Sequence, residues 1–82
     1  MPKARIYKAI EIKHRTVTGP MMDETVGRAL RECGVKDRKL SDVYVVCLDA
    51  NGGARKRAAE LETVHKVKVH VVKAREGVRN DE

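Results

Sequence analysis

Val43 to Leu48 reads VYVVCL, six residues with no polar position to mark a wet face. A half-buried strand alternates apolar and polar residues; one covered on both faces does not, and such strands lie at the centre of parallel sheets. The run is too short for a buried helix and is rich in β-branched valine, so a central strand is expected here. Its flanks then decide the fold.

Upstream, Ala4 to Val17 reads as a long strand with Ile6, Ile10 and Ile12 on the inner face and Lys8 interrupting them. Thr18-Gly19-Pro20 stops that strand and opens a helix, since Thr or Gly caps and Pro suits the first turn. Asp23 and Glu24 fall where the helix dipole favours negative charge. Met22, Val26, Ala29, Leu30 and Cys33 recur at helical spacing, and Gly34 supplies the stop. Residues 35–42, VKDRKLSD, read as a polar connection anchored by Leu40.

Downstream, Asp49 to Gly53 (DANGG) turns the chain into a second helix from Ala54 to about Val64. Ala54, Ala58, Leu61 and Val64 form its buried stripe. Val67, Val69 and Val71 then alternate with Lys66, Lys68 and His70, the mark of a final strand with one wet face. The expected fold is a single α/β domain over residues 1–74, ordered β-α-β-α-β, with a mainly parallel three-stranded sheet. Residues 75–82 read as a flexible tail. Right-handed crossovers put both helices on one face, leaving the other for a second cover. A second copy of the chain is the expected cover, hence a homodimer.

The 82 residues carry 18 Lys and Arg against 12 Asp and Glu, a net charge of +6. The excess is uneven. Residues 1–18 hold five Lys/Arg against one Glu, and residues 63–82 hold five against three acids; the segments between them balance. Basic first and last strands suit a polyanionic partner, DNA or RNA. With no Trp or Phe and two Tyr, recognition by base stacking is not expected. No apolar run approaches the ~20 residues of a membrane span, and Met1 to Tyr7 lacks a signal-peptide apolar region. A cytoplasmic chain with no membrane partner is expected, its Cys33 and Cys47 being buried free thiols. His14, His65 and His70 are too scattered to complete a zinc site with them.

Two constellations carry chemistry. Strand period two sets Glu11 and Lys13 on one face, with His14 and Arg15 directly behind. A strand-borne carboxylate can bind a divalent cation, and a lysine two residues on can steady phosphate charge. The second is Asp49 to Arg57, DANGGARKR. Glycines at a helix N-terminus leave backbone N–H groups open to an anion, and Arg55, Lys56 and Arg57 come directly after them. No P-loop or GxGxxG is present, so no nucleotide cofactor is indicated.

From Ala9 to Val72 the order of E-x-K strand, helix, VYVVCLDA, NGG and ARKRAAELE resembles the PD-(D/E)xK nuclease superfamily, in particular restriction enzymes acting on modified DNA. The resemblance implies Glu11 as metal-binding carboxylate, Lys13 as catalytic lysine and Mg²⁺ as cofactor. That family also places an Asp on the preceding strand, whereas residues 1–10 hold no acid. Either another chain supplies the carboxylate, or the core binds nucleic acid without cutting. TGPMMDETVGRAL, with the apolar strand, Ala-containing helix and Val strand after it, also resembles the Alba family of small dimeric DNA- and RNA-binding proteins. Alba chains end in a β-hairpin, however, and this one ends after a single strand.

The first expectation is therefore a basic, dimeric domain on a nuclease-like core that contacts phosphates through Lys8, Lys13, His14, Arg15, Arg55, Lys56, Arg57, Lys66 and Lys68. A metal-dependent nuclease using Glu11 and Lys13 is the second. A protein-interaction module whose charge serves solubility is the third.

Overall fold

The computed structural model describes residues 5–74. β1 (Arg5–Val17), α1 (Gly19–Val35), β2 (Arg38–Ala50), α2 (Gly52–His65) and β3 (Lys68–Lys73) occur in that order. The strands form one parallel sheet in the order β1-β2-β3, so VYVVCL lies in the central strand as its composition requires. Residues 75–82, expected to be a tail, lie outside the described residues.

The core forms between the helices and one face of the sheet. Val43, Val45 and Cys47 on β2 and Val69 on β3 are buried against Met22, Val26, Ala29 and Cys33 of α1 and Ala54, Ala58 and Leu61 of α2. Small alanines let α2 approach closely, and both cysteines are buried and free. Val64, expected in the buried stripe of α2, is 64% exposed instead: the stripe ends at Leu61, and the last turn of the helix, to His65, is exposed at Val64.

Other expectations need correcting too. Ile6, Ile10 and Ile12 do not face the core: they are exposed on the side without helices, while Tyr7, Ala9, Glu11 and Lys13 lie on the helix side. Strict alternation divides a strand into two faces without saying which one the helices take. α1 packs most on α2 and, within the sheet, more on β2 than on β1, so the helix side of β1 tolerates a half-buried ion pair. The VYVVCL strand, similarly, is covered on one face only by the described residues: Tyr44 and Val46 are half-buried and Leu48 is exposed.

Residues 35–42 are not a connection. Only Lys36 and Asp37 link α1 to β2, with Asp37 at φ 53°, and Arg38 to Leu40 pair with Arg5 to Tyr7. Ser41 is the extra residue of a bulge in β2. α2 starts at Gly52 rather than Ala54, capped by Asn51, whose Oδ1 accepts from the Ala54 amide at 2.8 Å. Asp23 and Glu24 lie beyond the first turn of α1, which contains no acid; Asp23 instead accepts from Arg57 of α2.

Candidate nucleic-acid interface

In a parallel sheet all strands end on one side, and the helices that follow start there. Here that end combines three local features. β1 bulges between Lys13 and Thr16, so that His14 and Arg15 together oppose Leu48 and stand exposed at the rim. Val17 turns directly into α1, and its carbonyl accepts from the Asn51 amide at 3.2 Å, holding the two strand-to-helix turns together. The helix N-termini touch: a Cβ added at Gly19 would lie 3.4 Å from the Gly53 carbonyl oxygen.

Two helix dipoles thus converge with their positive ends together, and the first-turn amides of α2 at Gly52 and Gly53 have no intrahelical acceptor. Arg55 and Lys56, the fourth and fifth residues of α2, follow these amides and are exposed. Among the described residues, His14, Arg15, Arg55 and Lys56 make no ion pair, which leaves their donors to an external anion. Lys73, ending β3, adds a further ammonium and lies 3.8 Å from the Asp49 carboxylate, which also accepts from the Ala50 amide. Nothing in the local pattern singles out Lys73, because only the register of β3 brings it to this end.

The nine residues named from sequence do not form one surface. Lys8 and Lys68 flank Asp42 in register, about 25 Å along the strands from Ala50, and Lys66 precedes them at that far end. Arg57 is near the helix N-termini but engaged: its Nε donates to Asp23 at 2.7 Å and its Nη1 to Glu60 at 2.9 Å. Those two carboxylates, Glu60 first, push its guanidinium above its ordinary value, and the Asp23 contact links α2 to α1 across the surface.

Glu11 and Lys13 share a face as the period requires, with Nζ and Oε2 3.8 Å apart. They point under α1, where Arg28 donates to the same Oε2 at 3.3 Å. Nothing in sequence marked Arg28, which lies 17 residues away on another element. Glu11 lines a cleft of about 190 Å³ between β1 and α1 with Tyr7, Thr25, Arg28 and Glu32. One carboxylate whose Oε2 meets two cations does not fit a divalent metal. Among the described residues no group of three or more His, Cys, Asp or Glu side chains could hold one. None of the described helices is long and apolar enough to cross a membrane.

Compared with known proteins, the chain matches no family model, no curated protein and no solved structure.

Proposed function

We propose that this chain is a dimeric nucleic-acid-binding domain that grips phosphates at the end of the sheet where α1 and α2 begin. The observation that carries it is the convergence there of two helix N-termini with four exposed basic side chains, His14, Arg15, Arg55 and Lys56, that make no ion pair among the described residues. Positive dipole ends and guanidinium groups both favour a phosphate, and they act without reading bases. The scarcity of aromatic side chains agrees with backbone contact rather than stacking. Lys8, Lys66 and Lys68 at the far end contribute to the general field and not to this grip.

Binding without cutting is the reading that the surroundings of Glu11 support. Its Oε2 is shared between Arg28 and Lys13, which makes the E-x-K pair a brace under α1.

Fluorescence anisotropy with a labelled duplex and a labelled single strand tests this function. Arg15→Glu combined with Arg55→Glu and Lys56→Glu is expected to weaken binding at least ~100-fold at low salt, since each reversed charge removes one phosphate contact and adds repulsion. Lys66→Glu with Lys68→Glu is expected to cost about tenfold or less. Equal losses from the two sets would contradict a grip at the helix N-termini. Cleavage of either nucleic acid in Mg²⁺, abolished by Glu11→Ala, would restore the nuclease reading.

A further inference from the structure

One face of the sheet has no cover among the described residues. Both helices lie on the side of Val43, Val45 and Cys47, and the molecule is 16 Å across its thinnest dimension, one helix layer on one sheet. The opposite face carries Ile6, Ile10, Ile12, Leu48 and Val72, exposed by 72, 68, 62, 41 and 42%. At those exposures the five side chains leave roughly 500 Å² of hydrocarbon in water, at the upper end of the largest patch on an ordinary monomer. Tyr44, Val46, His70 and the stems of Lys8 and Lys68 widen the face toward the roughly 800 Å² that one partner contributes to a stable protein dimer.

Two polar side chains of this face pair across the strands, Asp42 with His70. The Asp42 carboxylate accepts from Ser41 at 2.6 Å and lies 2.8 Å from His70 Nε2. The His70 ring stacks on Tyr44 with centroids 4.3 Å apart. The Asp42–His70 contact stays paired when a second surface covers it, and the side chains around it, Ile10, Ile12, Val46 and Val72, are apolar, so the chemistry that fits this part of the face is another apolar sheet face.

The register says how a second copy would sit. Ile10, Tyr44 and His70 form one row across the strands, Ile12, Val46 and Val72 the next, and Lys8, Asp42 and Lys68 a charged row that separates them from Ile6. A twofold axis between two stacked sheets, at right angles to the strands, lays the apolar rows on each other and sends the charged rows to opposite sides of them. An axis along the strands would stack lysine on lysine and Asp42 on Asp42. We propose that the open face is a self-association interface of the first kind, two copies packing sheet to sheet with antiparallel strands into a helix–sheet–sheet–helix sandwich. This names the interface for the dimeric part of the proposed function, on which it rests, and it places the two phosphate grips at opposite ends of the dimer.

Sedimentation equilibrium of the full chain without nucleic acid tests it. The wild-type mass is expected at about twice the 9.2 kDa of one chain at tens of micromolar. Ile10→Lys with Ile12→Lys is expected to raise the dimer dissociation constant at least ~100-fold while leaving the circular dichroism spectrum unchanged, because both residues are exposed in one copy. Val72→Lys, on a different strand, is expected to raise it about tenfold and serves if the double variant fails to fold. A folded wild-type chain that stays monomeric at ~100 µM would overturn the proposal. So would a dimer indifferent to all three substitutions, which would place the contact elsewhere, for example along the edge of β1. A dimer that ignores nucleic acid would overturn the phosphate grip and leave this interface standing.

Discussion

Thr25 carries a hydroxyl that is 2% exposed at the residue level and has no hydrogen-bond partner among the described residues. A buried unpaired hydroxyl costs free energy that a methyl group of the same size would not. Thr25→Val is therefore expected to raise stability by about 1 kcal/mol, read from the urea midpoint. Destabilisation of that size would show instead that the hydroxyl is satisfied by water in the cleft beside Glu11. Asp42 is the opposite case. The Ser41 hydroxyl, then His70, hold its carboxyl below its ordinary value of 3.8. A carboxyl lowered on folding contributes stability that is complete above its unfolded value and is lost as pH falls through the folded one. The wild type is thus expected to lose more stability than Asp42→Asn below about pH 4. Urea midpoints at neutral and acid pH check this, and parallel profiles for the two proteins would contradict it. Neither residue was conspicuous in sequence: Thr25 reads as an ordinary helix position after Glu24, and the second partner of Asp42, His70, lies 28 residues away.

At the scale of elements, the turn before α2 does the most. Asn51 caps the helix through Ala54, and its amide holds the end of β1 through Val17. Asn51→Ala is expected to cost about 1 kcal/mol and Asn51→Gly only a few tenths, measured by urea denaturation. Equal costs would mean that the cap is not what stabilises the turn. The order and type of all five elements were legible, because helical and strand periods differ and Gly and Pro mark the turns. Two features were not. Arg38 to Leu40 look like loop and become strand because β1 offers them a partner, a tertiary pairing that overrides local composition. The isoleucines of β1 look like core because they alternate, yet they face away from the helices, since a period cannot say where the helix layer will settle.

For the whole molecule, two surfaces arise from one topology. Parallel strands with both crossovers on one side gather the helix N-termini at one end and leave one sheet face without a covering layer among the described residues. The basic excess was visible in sequence, and so were His14, Arg15, Arg55 and Lys56 as candidates. Their meeting at one end, and the separation of Lys8, Lys66 and Lys68 from them, needed the strand register. Glu11 and Lys13 were legible as a pair but not as a braced one, because Arg28 reaches them from α1.

The most direct measurement is the salt dependence of nucleic-acid affinity for the wild-type chain. Phosphate binding by three or more basic groups per copy predicts that log affinity falls linearly with log salt with a slope of about −3 for duplex DNA. It also predicts that the slope is shallower when Arg15, Arg55 and Lys56 are reversed together. An affinity that stays flat from low to moderate salt, or a slope those three residues do not change, would contradict it.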